Sequence, residues 1–496
     1  MPVVTQLRLR RARLRRLSRR PVTSPPPTVP LSSARGRWIV LATVLGSTLS
    51  LLDGTVVTIA LPDIGTELGA DVSGLQWTVT GYTLTLAAFV LLGGSLGDRV
   101  GRRRIFVLGT IWFAVASVAC GLAPNVEFLV LARVVQGIGA ALVTPGSLAI
   151  LSASIDPKDR GAAIGLWSGF GGIGSAVGPL LGGWLVEIAG WRSIFLLNVP
   201  LAVAVVVVAL RHVPETRDPE TSGRLDVPGA AVVALALAAL TYGAIDGRWP
   251  IIAIGLVGTA VFVVVERRTA HPLVPPSLFS SRVFVAANIV TFAAYAALGG
   301  VFFLLLLQLQ VALGYSALAA GTATLPITAA LLLLSARAGA LAGRIGPRLP
   351  MTVGPLVAAV GLVLMVRIEP GSTYLGAVLP AVVVFGVGLS LLVAPLTAAV
   401  IGAAPASHAG TASAVNNAVA RTAQLLSVAA IPGIVGISGQ LDPAQFSSGF
   451  RAAMLICAAV LTLAGALAAV SIRTPRPTGR TPMHCDVSGP PVTDGR

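Results

Sequence analysis

Charge is scarce in this chain. Only 11% of its 496 residues are charged, where a soluble domain carries about a quarter, and mean hydropathy is +0.87. That excludes a soluble enzyme and a disordered protein. Cysteine is nearly absent too: Cys120, Cys457 and Cys485 are too few and too scattered for a disulfide scaffold or a metal site, and two of them lie inside apolar runs as packing residues. The four histidines, His212, His271, His408 and His484, fall in loops or near the ends of apolar runs, so none is placed to relay protons or bind metal within a membrane. No Gly-x-x-x-x-Gly-Lys-Ser/Thr loop occurs, which argues against ATP hydrolysis. Lys158 is the single lysine. With so much Ala, Gly and Val, that points to a G+C-rich bacterial genome.

Apolar runs are what the chain has in abundance. They cover about 38–62, 76–97, 105–123, 127–151, 162–184, 193–210, 227–244, 249–265, 283–308, 318–341, 350–367, 374–400, 409–434 and 450–472. Each is long enough to cross ~30 Å of hydrocarbon as a helix. The expected fold is therefore all-α and integral to the membrane, with about fourteen transmembrane helices. Placing the N-terminus in the cytoplasm puts 28 Arg and Lys on that side and only Arg192, Arg248, Arg367 and Arg451 on the other. The positive-inside rule then sets both termini in the cytoplasm. Arg133, Arg337 and Arg421 stay inside spans.

The net charge of +16 reflects ten arginines before Trp38 with no acid among them. This is read as a cytoplasmic flank, with no nucleic-acid partner. The stretch Arg8 to Arg20 also resembles an organellar transit peptide. A long basic region followed by Pro21 to Pro30 before any apolar run does not fit a cleavable signal peptide, so the first apolar run is expected to stay as a membrane anchor.

An internal echo implies duplication. The segment Gly94 to Arg103 is matched by Gly339 to Arg348 at an offset of 245, more than six helices require. The simplest solution is a tail (1–37), a six-helix bundle (38–210), a linker with two extra helices (211–282), a second six-helix bundle (283–472) and a tail (473–496). Repeated halves meeting at a midplane site are a transporter design.

Four segments carry a family resemblance. They are Leu52-Asp53-Gly54-Thr55-Val56-Val57-Thr58-Ile59-Ala60-Leu61-Pro62 in helix 1, Gly94 to Arg103 between helices 2 and 3, Arg133-Val134-Val135-Gln136-Gly137-Ile138-Gly139-Ala140 in helix 4, and Gly174 to Gly183 in helix 5. Together, and in this order, they resemble the signatures of the major facilitator superfamily, specifically its fourteen-helix drug:proton antiporter branch, over most of the chain. Thr58 stands where that branch usually has Asn. The resemblance implies a monomeric, cofactor-free exporter driven by the proton gradient. Such an exporter would exchange protons for lipophilic, often cationic compounds across the bacterial inner membrane by alternating access. The alternative is a dedicated exporter of an endogenous secondary metabolite or lipid; a proton-coupled importer fits less well. No convergent polar cluster suggests an enzyme.

The residues can be argued on their own terms. A carboxylate inside hydrocarbon is costly, so Asp53 is a functional candidate by default, and burial that disfavours its charged form suits a proton carrier. Arg133 should lie within about 5 Å of Asp53 in depth and see it across the cavity, with Gln136 holding the guanidinium. A purely packing role for Asp53, or a snorkelling one for Arg133, is the bland alternative. Gly94, Asp98, Arg99, Gly101, Arg102 and Arg103 form a candidate cytoplasmic gate. In it, Arg102 or Arg103 would pair with Asp156 or Asp159, and Asp98 would face a helix N-terminus of the other half. Gly174, Gly178, Pro179, Gly182 and Gly183 allow close helix packing, which the resemblance associates with antiport. Tyr82, Trp167, Asn288, Tyr295, Gln308, Asn416 and Arg421 are candidates to line the substrate cavity.

Overall fold

The structure is a computed structural model that describes residues 28–217, 226–269, 274–404, 409–440 and 442–472. The Arg-rich segment before residue 28, the tail from 473 with His484 and Cys485, and His271 and His408 lie outside them. The helices are α1 (Ala34–Leu68), α2 (Val72–Val100), α3 (Arg102–Gly121), α4 (Val126–Ser154), α5 (Arg160–Ala189), α6 (Arg192–His212), α7 (Val227–Ile245), α8 (Trp249–Arg268), α9 (Arg282–Ala312), α10 (Ala317–Ile345), α11 (Arg348–Met365), α12 (Tyr374–Gly402), α13 (Ala409–Ile434) and α14 (Pro443–Ser471). Among the described residues, twelve are long and apolar enough to cross a membrane. The other two, α5 and α13, span 30 and 26 residues.

Side-chain caps mark several starts. Ser33, Asp71, Asn125, Asp226, Ser281 and Asp442 each accept a hydrogen bond from a backbone N–H of the first turn, satisfying a donor that has no intrahelical partner. Caps explain two boundary corrections. The last helix starts at Pro443 rather than near 450, behind Asp442, and α1 runs through Pro62 to Leu68. A proline removes one ladder bond, but Ile59, Ala60, Leu61 and Ile64 beside it are buried and keep α1 helical until Gly69, in the left-handed conformation, ends it. Large apolar side chains such as Leu235, Leu463 and Val470 remain exposed, as a lipid-facing surface requires.

Helices α1 to α6 pack on one another as one bundle and α9 to α14 as a second, with α7 and α8 outside both. Within the first bundle small residues bring backbones together: a Cβ at Gly137 of α4 would lie 2.3 Å from the Tyr82 carbonyl oxygen of α2. The inserted helix α7 lies against α2 and α13, where Leu237 joins Leu84, Ala87, Ala88 and Leu425 in one apolar cluster. It thus covers a seam between the bundles, and α8 packs mainly on α7.

The bundles meet at the face opposite the arginine-rich one. There Gln76 of α2 donates to the carbonyls of Val428 (2.8 Å) and Ala429 (2.9 Å), Gln310 to Ile59 O (3.1 Å), and Leu318 N to Glu187 (3.0 Å). Val72 N donates to Gly439 O at 3.0 Å. Toward the arginine-rich face α5 keeps its own bundle's contacts, Ala163 packing with Val40, Val44, Leu151 and Ile155, but its glycine face is open: a Cβ at Gly161, Gly165 or Gly169 would touch nothing within 4 Å. The molecule is closed on one face and parted on the other.

Gly183 sets the closed seam, since a Cβ there would lie 2.6 Å from the Ala317 carbonyl oxygen. Gly183→Leu is expected to hold this face open. In nanodiscs, a cysteine replacing the fully buried Ile59, in a Cys485→Ser background, should then react with maleimide several-fold faster. Unchanged labelling would show that this contact does not set the closure.

Candidate functional site

Four helices of the first bundle converge on Asp53. Its Oδ2 is paired with Arg133 of α4 in direct contact, both side chains 1% exposed, while its Oδ1 accepts from Gln136 Nε2 and Asn198 Nδ2, each at 2.9 Å. Arg133 further donates to Thr78 O of α2 (3.0 Å) and Gln136 Oε1 (2.7 Å). Ser117 Oγ of α3 accepts from both carboxamides, at 3.0 Å from Gln136 and 2.8 Å from Asn198. The guanidinium also sits over the Tyr82 ring, 4.4 Å from its centroid. A buried ion pair is tolerated only when its remaining lone pairs and protons are hydrogen-bonded. Among the described residues the buried Asn198 Oδ1 of this network has no hydrogen-bond partner.

This geometry corrects the cross-cavity picture of Asp53 and Arg133. They touch inside one bundle, and Gln136 bonds both partners. Tyr82 is likewise no cavity wall: it is 3% exposed, its hydroxyl donating to Ser50 O at 3.0 Å. The residue the sequence reading missed is Asn198, whose signal was there as a lone carboxamide in the apolar run 193–210. Ser117 and Cys120, whose Sγ lies 3.6 Å from Gln136 Oε1, carried no distinguishing pattern.

The turn between α2 and α3 forms a different latch from the one expected. Asp98 does not reach the other bundle; it pairs with Arg102 Nε at 2.7 Å, one turn away. Arg103 does not meet Asp156 or Asp159. It bonds Glu215 through its backbone N–H (3.1 Å) and Val213 O through its guanidinium (3.1 Å), and Arg104 also faces Glu215 at 3.8 Å. Asp156 is bonded by the Thr28 hydroxyl and Asp159 by Leu31 N (3.0 Å), so the entering chain occupies them. Gly101 has φ +133°, and a Cβ there would lie 2.6 Å from Glu215 Oε1; only glycine lets the turn close on this acid. Arg99 lies in the last turn of α2, and Gly94 lies against Pro145 of α4.

The α5 glycines serve two contacts. Cβ atoms at Gly174, Gly178 and Gly182 would fall within 2.7 Å of Thr48, Thr55 and Val56 of α1, whereas Pro179 and Gly183 meet Gly321 and Ala317 of α10 across the seam. Among the remaining candidates, four are packing groups. Trp167 donates to Ser47 Oγ (3.0 Å). Gln308 is buried, donating to Ile368 O (3.0 Å) and Ser447 Oγ (3.1 Å). Asn416 donates to Asn288 Oδ1 (3.2 Å) and Thr291 Oγ1 (2.7 Å), tying α13 to α9. Tyr295 and Arg421 are left half-buried between helices.

Two six-helix bundles, the first built on a buried charge pair, closed at one face and parted at the other, define a multi-pass membrane protein of the alternating-access type. The family model for the Major Facilitator Superfamily matches residues 43–428, and the chain belongs to that family. It is 35% identical over 416 residues to the multidrug resistance protein Stp of Mycobacterium tuberculosis, covering 82% of this chain and 77% of the relative. It is also 35% identical over 448 residues to a methylenomycin A resistance protein of Bacillus subtilis, covering 88% and 94%. Its fold matches that of a bacterial homologue of the lysosomal transporter Spinster with a TM-score of 0.61, at 21% identity, over 89% of this chain and 97% of the other.

Two consequences can be measured. Arg133→Gln strands a buried carboxylate and should cost about 3–5 kcal/mol in thermal unfolding, most of it recovered on adding Asp53→Asn. A single variant as stable as the parent would show the pair is not structural. Glu215→Gln should change stability by no more than about 1 kcal/mol yet speed tryptic cleavage at Arg103 and Arg104; unaltered cleavage would disprove the clasp.

Proposed function

We propose that this protein is a proton-coupled exporter in the bacterial inner membrane, with both termini in the cytoplasm. It expels lipophilic, often cationic compounds, works as a monomer, needs no cofactor beyond the proton gradient, and performs no covalent chemistry. Its relatives named for multidrug and methylenomycin A resistance support efflux. The observation that carries the proton coupling is the buried network around Asp53, one carboxylate oxygen bonded by Arg133 and the other by Gln136 and Asn198.

That network handles two charge states. With Asp53 ionised, Arg133 is neutralised and the bundle packs tightly around the pair. Protonation removes the counter-charge and leaves a buried guanidinium, an unfavourable state that rearrangement relieves by admitting water or substrate. The carboxamide of Asn198, with its oxygen unsatisfied, can turn to accept from a protonated Asp53. On this reading the parted, arginine-rich face is cytoplasmic and loads substrate, and seam opening on the other side releases it as the proton enters. A dedicated exporter of an endogenous metabolite or lipid is the second reading, favoured by a relative named for a single antibiotic.

Everted vesicles acidified inside and challenged with ethidium should report substrate-induced proton release by a pH-sensitive dye, with Asp53→Asn abolishing it. Release that survives the substitution would move the proton site elsewhere. Silence with ethidium and a wider panel of lipophilic cations would favour the dedicated exporter.

A further inference from the structure

Arg421 is a charge the Asp53 network does not use. It lies near the middle of α13 (Ala409–Ile434), and its guanidinium makes one long hydrogen bond, to Gln424 Oε1 at 3.4 Å. It forms no ion pair among the described residues.

Its neighbours place it between the bundles. One turn on, Leu425 packs against Leu84, Ala87 and Ala88 of α2, while Asn416 and Gln424 of the same helix contact α9 at Asn288 and Gly299. Tyr295 lies on α9 between Thr291, which accepts from Asn416 at 2.7 Å, and Ala296, whose carbonyl accepts from Ser427 at 2.5 Å, so it is level with Arg421 on α13. Tyr295 is half-buried, and its hydroxyl has no hydrogen-bond partner among the described residues. The other mid-span cation, Arg133, is neutralised by Asp53, and Arg337 is exposed, donating to Leu333 O of its own helix. Among the described residues Arg421 thus has no counter-charge, and it lies level with the Tyr295 hydroxyl between the bundles.

We infer that Arg421, the Tyr295 hydroxyl and the Gln424 carboxamide form an oxyanion subsite that takes the ionised carboxylate or acidic phenol of a lipophilic substrate. A guanidinium fork matches a carboxylate in two parallel hydrogen bonds, and an aromatic or aliphatic body attached to it can rest on the apolar surface alongside. The subsite rests on the transporter reading and adds acidic compounds to its substrate range.

The test is a matched pair of probes with one apolar body, 2-naphthoate and neutral 2-naphthamide, titrated into the full-length protein in phosphatidylcholine nanodiscs at neutral pH. The parent should favour the acid about tenfold, as a charge-assisted hydrogen bond gives. Arg421→Gln should bring the ratio close to one, and Arg421→Lys should keep part of it because the charge remains. Tyr295→Phe should lower it with Arg421 intact. No binding of naphthoate, equal binding of both probes, or a Gln variant with the parent's ratio would each overturn the subsite. Ethidium-driven proton release by the parent is scored separately. Its failure alongside an intact acid preference would count against antiport, and its success alongside a flat ratio would count against the subsite.

Discussion

A carboxylate and a guanidinium placed in contact within hydrocarbon constrain the rest of the first bundle. Either charge alone would be too costly to bury, so α1 and α4 must hold Asp53 and Arg133 together. The leftover hydrogen-bonding capacity must then come from neighbouring helices. Gln136 supplies it from α4, Asn198 from α6, Ser117 from α3 and the Thr78 carbonyl from α2. The small residues around this centre follow from the same demand, because Gly137 lets α4 lie on the α2 backbone beside the Arg133 hydrogen bond. Satisfying one ion pair thus dictates the arrangement of five helices.

The seam between bundles is built by different means. Glycine and proline bring α5 onto α10, and carboxamides from α2 and α9 reach backbone carbonyls across the gap. Among the described residues no ion pair crosses the seam, and its one carboxylate, Glu187, is exposed where it accepts from Leu318 N, so the seam can separate without stranding a buried charge. The inserted helix α7 lies along one edge of the seam through an apolar cluster and the Trp77–Tyr242 ring pair, contacts that permit sliding. Rigid, charged chemistry inside a bundle and weak, reversible chemistry between bundles is what rocking about a midplane requires. The Asp98, Arg102 and Glu215 contacts belong to the first category, since they fasten α2 and α3 to the chain after α6 within one half.

Much of this was legible beforehand. A polar or ionisable residue in a twenty-residue apolar run has few explanations, so Asp53, Arg133, Gln136 and Arg421 could be singled out, and the α5 glycine pattern could be read as a packing surface. Asn198 could have been added on the same ground. Trp167, Gln308 and Asn288 carried the same signal and proved to be packing groups. A helix interior exposes all its side chains at equal spacing, and hydropathy does not say which face meets a cavity.

What the sequence by itself determined is the set of apolar spans, the arrangement in two halves, and the few costly charges in hydrocarbon. These depend on local composition and on the length of a helix needed to cross a bilayer. Only the tertiary structure decided which charge meets which: that Asp53 bonds Arg133 directly, that Glu215 rather than Asp156 or Asp159 receives Arg103, and that Arg421 is left between the halves without a carboxylate. Those pairings join residues far apart in the chain and depend on helix rotations of a fraction of a turn, which interlocking side chains set and a linear pattern does not encode.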